Sequence, residues 1–141
     1  MKGKTYIALI ILCSLMMLSG GGAVLFAQSS LWVTAYYAGW EQSYLPASAI
    51  DYTAMTHICH FALIPSVNGS VNESGNSVTY NANTIALIDS AHRHGVKVLI
   101  TVGGWSTQTD FQETADSTKT TFIHNLMNII RAHGYDDLDI D

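Results

Sequence analysis

The chain has 141 residues, enough for one domain with a real hydrophobic core. Hydrophobic residues make up 48 % and charged residues only 12 %, with a formal net charge of −5. That balance argues against nucleic acid or any other polyanion as a partner.

Lys2 and Lys4 precede an uncharged run from Tyr6 to Ala27. A basic start, an apolar stretch and small residues after it read as a secretory signal peptide over residues 1–27, with Ala27 or Ala23 as the cleavage position. The same run is long enough to span a bilayer, so an uncleaved membrane anchor is the alternative. The expected location is secreted, in the extracellular space. From residue 28 onward four basic residues stand against eleven acidic ones, a net charge of −7. Cys13 falls in the leader, which leaves Cys59 alone and excludes an internal disulfide.

Trp32 to Tyr37 is rich in β-formers and predicts a first strand, broken by Gly39. Pro46 opens a short helical stretch that runs to Met55. His57 to Ile64 predicts a second strand, closed by Pro65. Asn68-Gly69 then reads as the tight turn of a small hairpin. Two matches to the N-glycosylation pattern fall here, Asn68-Gly69-Ser70 and Asn72-Glu73-Ser74.

From Asn83 the period changes. Ile85, Leu87, Ile88 and Ala91 form a helix face, with Asn81 or Asn83 as cap and Gly95 as stop. Val96 to Val102 is a nearly unbroken apolar run, the mark of a strand buried on both faces. A looser Ser/Thr/Gln segment follows. Ser117 is placed to cap a second long helix, with Phe122, Leu126, Ile129 and Ile130 inward and Gly134 at its end. The chain closes on Asp136-Asp137-Leu138-Asp139-Ile140-Asp141. Alternation of buried strands and helices predicts parallel β/α units, whose ligand sites lie at the C-terminal ends of the strands.

The closing segment is the first candidate site. In an extended strand Asp137, Asp139 and Asp141 lie on one face, about 7 Å apart, and Leu138 and Ile140 on the other, where they require burial. A core does not accept such a row without reason, since an unpaired carboxylate costs several kcal/mol or takes up a proton. Acid/base chemistry is the functional reading, and an exposed, solvated edge strand is the alternative. A calcium loop is a third reading, because Asp137-x-Asp139-x-Asp141 matches half of an EF-hand loop, although Leu138 and Ile140 suit its tight coil poorly.

Lys97 to Trp105 is the second candidate. A buried strand ends in Gly103 and Gly104, which allow a sharp turn and a close approach. Trp105 after them is placed to stack on a sugar face, and a core tryptophan behind a packing turn is the alternative. Tyr36-Tyr37-Ala38-Gly39-Trp40 is the third, and only one of its two tyrosines can face the site. The histidine spacings (His57/His60, His92/His94) fail the usual ligand geometry, so no metal is expected. No phosphate loop or nucleophile elbow occurs, and no cofactor is expected.

Together these segments resemble glycoside hydrolase family 18, the chitinase family. Asp136 to Asp141 is similar to its D-G-x-D-x-D-x-E signature, cut two residues before the glutamate. Thr101-Val102-Gly103-Gly104 is similar to its S-x-G-G signature. Tyr36-Tyr37 and Trp40 resemble its first-strand aromatics, and Met55-Thr56-His57-Ile58 its second-strand entry. Two departures stand out: Asp137 replaces the signature's glycine, and Thr101 its serine.

The resemblance implies an α/β fold, a (β/α)8 TIM barrel, of which this chain would hold strands one to four. Such barrels need about 250 residues, so residues 28–141 would be the N-terminal half of the catalytic barrel, truncated after strand 4. It implies hydrolysis of β-1,4-linked N-acetylglucosamine polymers by substrate-assisted retaining catalysis, an exception to the two-carboxylate scheme. Asp141 would steady the acetamido group, and Asp139 would be the buried acid behind it, sharing a proton with its neighbour. Asp136 would be structural, and Tyr36 and Thr101 would bond the inner acid. Gly103 and Gly104 would support the site, and Trp40 and Trp105 would stack on sugar. The acid glutamate would fall at position 143, so the 141 residues alone are expected to be inactive. A non-catalytic carbohydrate-binding lectin of the same fold is the alternative.

Overall fold

Two strands set the architecture, because their residues are apolar towards both faces of a sheet. The computed structural model describes residues 31–141; the leader predicted over residues 1–27 lies outside the described residues. β2 (His57–Pro65) and β4 (Lys97–Val102) bury most of their side chains, as central parallel strands do. β1 (Thr34–Ala38) and β5 (Asp137–Ile140) flank them, in the order β1-β2-β4-β5. All three pairings are parallel. β3 (Val71–Asn72) is a short antiparallel hairpin partner of β2, pairing Pro65 with Val71. The hairpin predicted at Asn68-Gly69 is therefore present, with Gly69 at φ +81.

Among the described residues three α-helices accompany the strands: α1 (Ala82–Arg93), α2 (Gln108–Ser117) and α3 (Lys119–His133). The core lies between them and one sheet face. Tyr37, Ile58, Ile100 and Val102 from the strands meet Leu87, Ile88 and Ala91 of α1 and Phe122 and Leu126 of α3. Asn81 caps α1, its Oδ1 accepting from Asn83 N at 2.9 Å and Thr84 N at 3.0 Å. Asn83, the other capping candidate, bonds Ala47 N and the Tyr37 hydroxyl instead. Gly134 ends α3 in the left-handed conformation. No helix among the described residues is long and apolar enough to cross a membrane.

The structure corrects four local expectations. β1 starts two residues late, at Thr34, because Trp32 leaves the strand line to stack on His57 at 3.4 Å. Pro46 to Met55 is not a helix but two 3-10 turns, Ala47–Ala49 and Tyr52–Ala54. Asp51 diverts the backbone there, its carboxylate accepting from Thr53 N and Thr53 Oγ1. The loose Ser/Thr/Gln segment folds as α2; its fully buried residue is Thr114, whose hydroxyl donates to Ser66 O at 2.8 Å, so the apolar period is masked. Ser117 ends α2 instead of capping α3, and Thr118 at the junction spends its hydroxyl on Val67 O.

His60 sits in the core with its Nδ1 2.8 Å from the Tyr135 hydroxyl. Burial pushes the pKa of His60 from the usual 6.5 down to about 4. The unfolded chain takes up this proton near 6.5 and the folded chain only near 4. The stability is therefore intact above the unfolded value and falls as pH drops through that window, by roughly 3 kcal/mol at its full extent. Urea melts at neutral and mildly acidic pH should show this slope, and His60→Gln should flatten it. An unchanged slope in the variant would place the acid sensitivity elsewhere.

Candidate active site

β5 carries the acids, and what holds β5 in place is Asp136 just before it. Its backbone N–H donates to Val98 O at 2.8 Å, and its carboxylate accepts from Val98 N at 2.8 Å. Lys97 Nζ lies at 3.0 Å and His92 Nε2 at 2.8 Å. Burial raises the Asp136 pKa, but the Val98 N–H, His92 and Lys97 outweigh it and hold the group below the usual carboxylate value. Asp136 therefore clamps β5 to β4 and α1.

The register then places the other acids. Thr101 pairs with Asp139 across β4 and β5, and Tyr36 pairs with Cys59 across β1 and β2. Side-chain alternation puts these groups on the sheet face opposite the helix core. Asp139 Oδ2 accepts from Thr101 Oγ1 at 2.9 Å and from Tyr36 OH at 3.2 Å. One carboxylate thus ties together three strands separated by 103 residues of sequence. Burial and then the charge of Asp139 raise the pKa of Tyr36, so the phenol keeps its proton and donates. Tyr37, next along the chain, is buried on the core side, its hydroxyl donating to Leu45 O.

Asp141 lies one step further out, its N–H donating to Val102 O at 3.1 Å. Gly103 and Gly104 follow β4 at φ +123 and +104. A Cβ on Gly103 would overlap the carbonyl oxygen of Asp141, and one on Gly104 would lie 4.0 Å from Asp141 Oδ2. Gly103 lets the acid-bearing strand approach, and Gly104 makes room for the Phe61 ring, 3.0 Å from where its Cβ would lie. Trp105 is 96 % exposed beside them, and Trp40, 48 % exposed, meets Phe61 edge-on with ring centroids 5.9 Å apart. A cleft of about 410 Å³ opens between Trp105, Phe111 of α2, Ile140 and Asp141. Of the acid row it touches Asp141 alone.

Other expectations need correction. Asp137 does not join the cluster; it is exposed at the opposite end of the strand, its Oδ1 accepting from Leu138 N. Leu138 is half-buried against the core and Ile140 is 66 % exposed at the sheet edge, so neither aliphatic is fully buried. A calcium loop does not form: residues 137–140 are an extended strand bonded to β4, and they cannot coil around an ion. Two residues at the site had no sequence signal. Cys59 is buried beside Asp139, and burial followed by that charge pushes its thiol up to about 11. Phe61 fills the space between Tyr36 and Trp40. Only the strand register identifies either of them.

The sequence profile described as Glycosyl hydrolases family 18 matches residues 33–141. The chain belongs to glycosyl hydrolase family 18. Among curated relatives of this family-18 chain, a chitinase-like effector of Moniliophthora perniciosa is 28 % identical over 109 residues, covering 75 % of the chain and 24 % of that protein. Endochitinase 1 of Metarhizium robertsii is 30 % identical over 76 residues, covering 52 % of the chain and 18 % of the relative. Among solved structures, a chitinase from Bacteroides thetaiotaomicron superposes with a TM-score of 0.66 at 24 % identity, covering 78 % of the chain and 35 % of its own. A Group IV chitinase of Ostrinia furnacalis in complex with allosamidin gives 0.70 at 21 % identity, covering 78 % and 32 %. The family-18 chain therefore spans about a quarter of the length of its first curated relatives and about a third of these chitinase structures.

Proposed function

We propose that this family-18 chain is the acid-bearing part of a secreted glycosidase that cleaves β-1,4-linked N-acetylglucosamine polymers, chitin or chito-oligosaccharides, with retention of configuration. The observation that carries the reading is Asp139, fixed by the hydroxyls of Tyr36 and Thr101 from two other strands, with Asp141 two residues on, beside Trp105. In this scheme Asp141 accepts the N–H of the substrate's acetamido group and turns its carbonyl oxygen towards the anomeric carbon. That oxygen attacks, the glycosidic bond breaks, and a glutamate two positions past Asp141 protonates the leaving oxygen. Asp139 steadies the positive charge on the oxazolinium through its neighbour, held still by two donors that need no rearrangement. Trp40 and Trp105 present flat apolar faces on which sugar rings stack.

The same proposal takes the four parallel strands as the first half of a closed (β/α)8 barrel, supported by β1 and β5, each paired on one side only among the described residues. It takes residues 1–27 as the leader that brings the protein out of the cell, supported by their basic start and apolar run. A second reading is a carbohydrate-binding protein without turnover. Two relatives named chitinase-like effectors favour it, and the exposed tryptophans serve it equally well.

The test is to express the complete reading frame and assay it on chito-oligosaccharides and on insoluble chitin. Release of new reducing ends is the expected result. Retention on chitin with no turnover would replace the enzyme by the binder, and neither retention nor turnover would end both readings.

A further inference from the structure

The β2–β3 hairpin carries two copies of the N-glycosylation pattern that the active-site reading leaves unused. Residues 66–70 form its loop, and that loop is tied to the helices. Thr114 of α2 donates to Ser66 O at 2.8 Å, Thr118 to Val67 O at 3.0 Å, and Asn125 of α3 to Gly69 O at 2.9 Å. Gly69 packs against α3 so closely that a Cβ would lie 3.0 Å from Thr121 Cβ. With the loop's inner side anchored, Asn68 and Ser70 are left exposed at its tip.

The side chains of the two matches differ. Asn68 Oδ1 accepts a single bond, from Ser70 N at 2.9 Å. Among the described residues its Nδ2 donates to nothing. Asn72 Oδ1 is held by Ser74 N at 2.9 Å, Ser74 Oγ at 2.8 Å and Gly75 N at 3.3 Å. Its carboxamide is a structural clamp for the following turn, and its serine hydroxyl is occupied.

We propose that Asn68 is the attachment site of an N-linked glycan. This rests on the secretory reading of residues 1–27, since the modification requires entry into a secretory lumen. The co-reactant is an oligosaccharide linked through pyrophosphate to a polyprenyl lipid. Asn68 Nδ2 forms a bond to the anomeric carbon, the bond from that carbon to the pyrophosphate oxygen breaks, the lipid pyrophosphate leaves, and the nitrogen gives up one proton. Transfer acts on the entering chain before it folds, so what the fold decides is whether the product is tolerated. At Asn68 it is: the amide points to solvent, no internal bond is lost, and the loop is anchored to the helices. The glycan would therefore stand over the helix side of the sheet, away from the face that holds Asp139.

The chain is expressed in a eukaryotic secretory host in two versions, one with its own residues 1–27 and one with a leader proven in that host. Cell extract and medium are both read by gel mobility before and after amidase removal of N-glycans, and by peptide mass for the Asn68→Asp conversion that removal leaves. One enzyme-sensitive step is expected, mapped to Asn68. It should disappear in Ser70→Ala, which keeps the backbone turn, persist in Ser70→Thr, and be unaffected by Asn72→Gln. Modification only with the host's leader would remove the secretory reading and leave the site standing. Unmodified Asn68 in chain delivered by the proven leader, or modification of Asn72 in its place, would overturn the proposal.

Discussion

Gly103→Ala is expected to lower the thermal midpoint of the described domain by roughly 10 °C or more and to displace Asp141. Gly103 sits at φ +123, a conformation that an L side chain rarely adopts. The added Cβ would also meet the carbonyl oxygen and carbon of Asp141. These are backbone atoms of a paired strand and cannot rotate away, so β4 and β5 must part and the Asp141 N–H to Val102 O bond is strained. Backbone strain and overpacking together put the cost at about 2–4 kcal/mol. Gly95 supplies the control: its φ is +72, but a Cβ there meets nothing within 4 Å. Gly95→Ala should cost only about 1 kcal/mol, from the left-handed conformation alone. Thermal and urea melts of the two variants side by side decide the matter, and equal losses would show that the close approach of Asp141 is unimportant.

On the proposed glycosidase function, Asp139→Asn in the complete protein should lower kcat by about 10²–10³-fold, the scale of removing one preorganised charge from a transition state. Stability should change little, because the amide oxygen can still accept one of the two hydroxyls. A second readout needs no activity. The Tyr36 phenol is held up by burial and by the charge of Asp139, so ultraviolet titration should show one tyrosine moving back towards its ordinary value in the variant. Turnover near the wild-type level would remove Asp139 from the chemistry. An unmoved tyrosine titration would remove its contact with Tyr36.

Much of this was legible in the sequence where one local rule dominates. β2 and β4 announced themselves because strands covered on both faces must be apolar throughout. The Asn81/Asn83 pair and Gly134 marked helix ends because few residue types satisfy orphan backbone groups or adopt a positive φ, and the structure chose Asn81. The acids from Asp136 to Asp141 were conspicuous because nothing in a bland core accounts for such a row. Legibility failed where a tertiary partner replaced the usual signal. α2 buries a threonine where a helix normally buries an aliphatic residue, because Ser66 O offers its hydroxyl an acceptor. Pro46 to Met55 looked helical until Asp51 drew the backbone of Thr53 to itself.

The sequence by itself determined that strands and helices alternate, that carboxylates cluster after the last helix, and that glycines follow β4. Local periodicity and residue chemistry are enough for that. Local pattern alone did not decide which acids meet which partners; the family resemblance named Tyr36 and Thr101 for Asp139, and the tertiary structure brings those two hydroxyls to it. A parallel sheet joins residues far apart in the chain, and a shift of one position in its register would turn every side chain to the other face. The register is what sets Thr101 against Asp139 and brings Tyr36 and Cys59 to the same place. It also leaves Asp137 exposed at the far end of a strand whose next acid is held by two hydroxyls.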